Sequence, residues 1–410
     1  MRRRIIRTGK PGYQPAEVSA HYRSLRQWPR LDFIQPAFAV DRTWFGGTGN
    51  FGEATNWTPS GVPGSGDRAI INSGSSTLSF NTGISGLDFL GGILSGNGNL
   101  AVSGLSTWTA GTITGAATTN FESGLELSGN AAKTISGSRV VNADDTTWSG
   151  NTGDFGNNFI ITNSTFNNTG TFTDTNAFAN QMGGTGGIFN NSGAYNKQTD
   201  TLTHVGSGVA LNNMEILNVQ TGVLNLAHAF ANAGTVNVGA TGTLQSSCGG
   251  TDCFSNTGIM QGNGIIQTPA NNELVNSGAI NPGNGIGHLT LNGDLNQTSG
   301  GVVNFELASL SSFDRLTVTD DVTLDGDIAV WNLGYTPVIG DSFVVATFDD
   351  RLDNSTFSSI TTHGFGSAVD FRVDYNEHNV MLTVVPEPEQ YAMLLAGLGL
   401  MGAMTRRRRT

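Results

Sequence analysis

Between residues 90 and 290 the apolar positions come in short alternating runs, such as Val236-Asn237-Val238 and Ile216-Leu217-Asn218-Val219, each bounded by Gly or Asn. Period-two alternation over so few residues predicts half-buried strands joined by tight turns. One pattern, apolar-x-Asn-x-Gly-x-apolar, recurs: FNNTGTF from Phe166, FNNSGAY from Phe189, FANAGTV from Phe230, FSNTGIM from Phe254 and LVNSGAI from Leu274. A weaker copy, LNNMEIL, starts at Leu211 and carries Glu215 in the glycine place. Successive starts lie 23, 22, 19, 24 and 20 residues apart, and Thr107-Trp108-Thr109 and Thr147-Trp148-Ser149 lie 40 apart, about two periods. A period near 22 excludes the helical arrays, and a leucine-rich repeat lacks its leucine ladder here.

The period therefore predicts a β-solenoid. At ~3.3 Å per residue one coil has a perimeter of ~70 Å, enough for about three strands of ~5 residues with corners. Glycine is expected to supply positive φ at the corners, and equivalent asparagines to stack coil on coil. Parallel crossovers are overwhelmingly right-handed. The fold class is thus all-β, a right-handed parallel β-helix of ~9 coils over residues 90–290.

Two flanking segments change texture. Trp44-Phe45-Gly46-Gly47, Asn56-Trp57, Val62-Pro63-Gly64 and Asp67 resemble the start of secreted autotransporter-like β-helices, which implies an aromatic cap over the first rung across residues 40–89. Past Pro282, INPGNGIGHLTLNGDL, VVNFEL, Asp314-Arg315-Leu316, VTLDGDIAV and Gly340-Asp341-Ser342-Phe343 read as period-two strands. This succession resembles the C-terminal end of autotransporter passenger domains and implies a β-rich cap region over residues 291–384. No membrane barrel, with its many ten-residue alternating strands, follows.

The chain closes with Pro386-Glu387-Pro388, an uncharged run from Tyr391 to Met404, and Arg406-Arg407-Arg408-Arg409. Prolines hold the first part extended. The fourteen-residue run spans only ~21 Å as a helix, against a hydrocarbon core of ~30 Å. Snorkelling arginines narrow that gap and stop transfer with the body across the membrane. This arrangement resembles the PEP-CTERM sorting signal of Gram-negative bacteria. The resemblance covers Val385 to Arg409 and implies a short transmembrane helix at residues 391–404 and cutting by an exosortase-type enzyme at Pro386, Glu387 and Pro388. It also implies transient residence in the inner membrane and delivery to the cell surface or outside the cell.

Export requires a leader. Arg2-Arg3-Arg4 supplies a positive start and Ala37-Phe38-Ala39 a cleavage-like triplet, but no apolar stretch of ~7–15 residues lies between them. The expectation is that the start or reading frame upstream of about Phe33 is wrong, that residues 1–39 are the leader region, and that mature protein begins near Val40. Cys248 and Cys253, the only cysteines, are expected to pair across a corner loop in an oxidising compartment.

Charge narrows the partners. Of 20 Lys/Arg, nine lie in residues 1–42 and four in the tail, leaving seven against 29 carboxylates in residues 43–405. A body this acidic repels nucleic acid. Fourteen of its carboxylates lie between Asp294 and Glu377. Asp320, Asp321, Asp325 and Asp327 are candidate weak Ca²⁺ ligands, although no EF-hand spacing is present. No other cofactor is expected. No phosphate loop, zinc-protease motif or serine elbow appears. Asp144-Asp145, Asp200, Lys133, Arg139 and Lys197 are the sparse candidates for a polysaccharide-cleaving site. The sequence reading is a non-enzymatic surface or matrix protein associated with extracellular polysaccharide and biofilm. Its alternative is a lyase or hydrolase on the same scaffold.

Overall fold

The computed structural model describes residues 39–150, 158–269, 271–366, 369–386 and 396–404. Strand follows strand with parallel pairing between coils, and each coil presents three faces. The first runs from Asp41–Trp44 to Ser359–His363, the second from Thr48–Asn50 to Ser342–Thr347, and the third from Thr82–Ile84 to Val322–Thr323. The third face contains twelve strands, nine of them between residues 90 and 290. Two long strands, Ile216–Leu226 and Thr235–Ser246, turn the corner between the first and second faces without a break.

Parallel pairing is wider than the repeat suggested. It begins where Asp41 pairs with Arg68 and continues to Asp327 against Ser359. The segments read as caps thus carry coils too, because the period-two strands persist where the Asn-Gly signature fades. The two ends are antiparallel: Asp41–Trp44 pairs with Trp57–Thr58 at the start, and Asn379–Pro386 lies between Ser342–Thr347 and Val369–Tyr375 at the finish, covering an edge that would otherwise invite further pairing. At the other end Trp44, Phe51 and Trp57 are buried, with the two indoles 5.1 Å apart. Asp67 ties this end down by accepting from the Val40 amide and, at 2.9 Å, from Arg42 Nε.

Inward positions stack like on like. Phe166 lies on Phe189 and Phe172 on Tyr195, with ring centroids 5.3 and 5.1 Å apart. The repeat's asparagines stack beside them, inside the solenoid. Asn168 Nδ2 donates to Asn191 Oδ1, and the chain continues through Asn213, Asn232, Asn256 and Asn276 to Gln297, at 2.7–2.8 Å per step. All are at most 1% exposed. From Asn168 to Asn256 each Nδ2 also donates to a backbone carbonyl of the next coil, for example Asn232 to Ile259 O at 3.1 Å. Within the ladder the unpartnered buried atoms are its two ends, Asn168 Oδ1 and Gln297 Nε2, as a one-directional chain of amides requires.

The repeat's glycines have a different cause from the one expected. Positive φ occurs at other corners, as at Gly222 (φ 70), but Gly170, Gly193, Gly234, Gly258 and Gly278 do not have it. They are required by contact between coils. A Cβ on Gly258 would lie 2.0 Å from Gly234 O, and one on Gly234 would lie 2.1 Å from Glu215 O. Coils spaced by strand pairing alone leave no room there for a methyl group.

Gly258→Ala is therefore expected to cost about 2 kcal/mol or more, whereas Gly249→Ala, with nothing within 4 Å of its Cβ, changes stability little. Denaturant unfolding of the two variants checks this; equal losses contradict it. Asn256→Ala removes the amide partner of the Asn232 donor and of the Asn276 acceptor, leaving each with backbone partners only, and should cost about 2–3 kcal/mol with the cavity. Asn190→Ala, in a parallel ladder on the outer surface, should cost about 1 kcal/mol or less.

Candidate functional site

Pro386 is the last residue of the closing strand and is paired in register with Val369. The extended backbone expected from its proline is realised as the end of the cap sheet's middle strand. Glu387, Pro388, residues 389–395 and Arg406–Arg409 lie outside the described residues. Residues 396–404 form a helix whose apolar side chains Leu398, Leu400, Met401 and Met404 are 52–65% exposed. Among the described residues no helix is long and apolar enough to cross a membrane. Along the sequence a proline strand end, an exposed apolar helix and a basic terminus follow in that order.

Residues 384–409 match the PEP-CTERM protein-sorting motif. The PEP-CTERM signal makes this an exported protein, held first as a membrane-anchored precursor and then sorted to the cell surface by an exosortase. No curated protein matches the chain. The closing strand Asn379–Pro386 overlaps the first three matched residues, so cutting beyond Pro386 leaves that strand whole.

The candidate bases of the body do not face a substrate. Lys133 and Lys197 are 0% exposed and Arg139 is 1% exposed. Lys133 Nζ donates to Gly129 O and Ala131 O, and Lys197 Nζ to Thr199 O at 2.6 Å, each ammonium closing a corner loop. Burial depresses the Lys133 ammonium to about 8 and the Arg139 guanidinium to about 10. Asp144, Asp145 and Asp200 stay on the surface, and Asp145 Oδ1 accepts from the Thr171 amide. A buried carboxylate that sequence reading passed over, Asp174, lies in register with Lys197 and accepts from Asn176, Tyr195 and Thr203. This is an internal polar plug rather than an exposed site.

The four clustered aspartates separate into two places. Asp325 and Asp327 accept from Ser358 and Ser359 of the next coil, at 2.6 Å each. Asp320 and Asp321 sit at another turn, facing Asp294 and Asp349 through backbone hydrogen bonds. Among the described residues no group of three or more His, Cys, Asp or Glu side chains is arranged to hold a metal. Cys248 and Cys253 are disulfide-bonded, with Cα atoms 5.8 Å apart.

The first face carries the feature the sequence reading missed. A second amide ladder stands outward there: Asn218, Asn237, Gln261, Asn281 and Asn304 each donate to the amide oxygen one coil back, beginning at Asn196. At its end Trp331 Nε1 donates to Asn304 Oδ1 at 3.2 Å. Trp331 is 43% exposed and stacks on His363 at 3.8 Å. A cleft of about 370 Å³ opens beside it, bordered by Gln261, Asn281, Asn304, Glu306, Asp314 and Trp331. The signal was available: Trp331 is out of phase with the inward Ile328 and Val330.

Asp314 Oδ1 and Oδ2 accept from the amides of Gly287 and Glu306, at 2.7 and 2.8 Å. Burial nevertheless pushes its carboxyl up to about 7, against the pull of the two amides and assisted by the nearby Glu306 charge. A carboxyl raised above its unfolded value of about 4 makes the folded chain hold the extra proton between those two pH values. Its contribution to stability is complete below about pH 4 and is lost as pH rises through about 7. The denaturant midpoint should therefore fall between about pH 5 and pH 8, and Asp314→Asn should flatten that slope while lowering stability throughout. An unchanged slope in the variant contradicts the assignment.

Proposed function

We propose that this chain is a non-enzymatic structural or interaction protein of the cell surface or extracellular matrix. In this reading the solenoid is the delivered body and associates with extracellular polysaccharide, while the tail is a temporary inner-membrane anchor. The observation that carries it is the junction at Pro386. The last paired residue among those described, Pro386, is also the first residue of the Pro386-Glu387-Pro388 element, so a cut beyond it leaves the described coil stack closed. The resemblance of both ends of the body to autotransporter passengers favours the same role, with a sorting tail in place of a barrel. A solenoid of paired coils with polar, hydrogen-bonded faces is a stiff spacer with a long repetitive surface, suited to matrix contacts.

A polysaccharide-cleaving enzyme is the second reading, and one observation favours it. Glu306 and Asp314 border the same cleft, and a carboxyl near 7 is in the range of a general acid. Against it, both Asp314 oxygens hold backbone amides and the residue is 2% exposed, which describes a structural carboxyl.

The sorting role is tested in native cells with an epitope at the C-terminus. Wild-type protein at the surface should lack the epitope, and Glu387→Ala should accumulate at full length in the inner membrane. Surface protein that still carries the epitope contradicts a temporary anchor.

A further inference from the structure

We infer that the outward amide ladder of the first face, together with Trp331, is a binding groove for a neutral polysaccharide chain. This rests on the matrix reading above and assigns it a site.

Each ladder amide is fixed by its neighbours one coil away, with steps of 2.6–3.3 Å between Asn218 and Asn304. A primary amide has two donors and an oxygen with two lone pairs, and the ladder uses one of each. What remains is a row of alternating donors and acceptors repeating at ~4.8 Å along the axis. Sugar hydroxyls both donate and accept, so a row of this kind suits a chain of pyranose rings, and its rotamers are already fixed before binding. Asn218 to Trp331 covers six coils, a track of ~24 Å.

Three further observations point to the same class of ligand. The cleft beside Asn281 and Asn304 has a neighbour along the face, a second depression of about 320 Å³ over Asn218, Asn237 and Asn263, and Asn284 borders both. Trp331 closes the track. His363 stacks on its indole, which remains 43% exposed and borders the cleft, an apolar platform of the kind a sugar ring's C–H face covers. Glu306 borders the cleft and its Oε2 accepts no hydrogen bond from the protein, so a side-chain rotation that brings this oxygen to the cleft surface gives it a hydroxyl donor. Its desolvation favours a donor from the ligand over none.

Charge selects among glycans. Neither depression has a Lys or Arg in its lining, and the charged groups of the first are the carboxyls Glu306 and Asp314. A polyuronate or a phosphate-bearing chain would meet like charge with nothing to offset it. A neutral chain meets hydroxyl-matched amides.

The test uses the purified full chain and three soluble probes: cellohexaose, maltohexaose and an alginate hexauronate. Calorimetry and tryptophan fluorescence should show binding of at least one neutral hexamer and none of the uronate. Trp331→Ala should weaken that binding about tenfold, and Trp331→Phe by less, since a smaller aromatic platform remains. Asn281→Ala, which interrupts the ladder away from the indole, should weaken it severalfold with an unchanged circular-dichroism spectrum. Failure of both neutral hexamers to bind, or equal affinity in Trp331→Ala, overturns the groove. Hexamer cleavage that Glu306→Gln abolishes overturns the assignment as a binding site alone. The purified protein needs no sorting, so a failed binding experiment leaves the C-terminal epitope result standing, and a retained epitope leaves the binding result standing.

Discussion

Everything in this structure depends on keeping successive coils in register at the spacing of paired strands, and the interior amide ladder from Asn168 to Gln297 is the interaction that does so most specifically. Apolar stacking of Phe166 on Phe189 or Phe172 on Tyr195 rewards any close approach, because the hydrophobic effect has no direction. The amides accept only one arrangement. A coil displaced by one residue turns its asparagine out of the core and leaves two buried neighbours without partners. The glycine two residues on permits the close contact, since the space above Gly234 or Gly258 is filled by backbone of the adjacent coil.

The outer ladder has the opposite polarity. Inside, each amide nitrogen donates to the following coil, as Asn213 does to Asn232; outside, each donates to the preceding coil, as Asn237 does to Asn218. The two rows of side-chain dipoles therefore oppose one another along the axis, so neither builds an uncompensated field. They differ in what they leave for other molecules. The interior row uses its second N–H on backbone carbonyls, while the outer row keeps its remaining donors and acceptors on a face that ends in Trp331 and a cleft. The same residue type thus supplies register within and a hydroxyl-matched surface without.

Much of the fold was legible. A 22-residue spacing and period-two runs specified coils of about three short strands, and the composition of the tail specified its address. The asparagines were legible as a stack but not as its interior, although parity placed them there: Phe166 and Asn168 are two apart on one strand and must share a face. Reading Gly234 as a positive-φ corner failed because the motif shows that a side chain is excluded, not whether torsion or a neighbouring coil excludes it. Parity also places Lys197 inward with Tyr195, which removes it from any surface site. The cap boundary near residue 290 was drawn where the asparagine signature faded, yet pairing continues because Gln297 takes the asparagine's place and the strands keep their alternation. The cleft could not be read from local pattern at all, since it joins residues from several coils with residues 282–285.

The most direct test of the register claim is hydrogen exchange at the side-chain amides of protein labelled with ¹⁵N-asparagine. The account predicts a slow class whose exchange follows global unfolding, containing Asn191, Asn213, Asn232, Asn256 and Asn276, and a fast class containing Asn190, Asn218 and Asn237. A single class, with interior and exterior asparagines exchanging at similar rates, would contradict it.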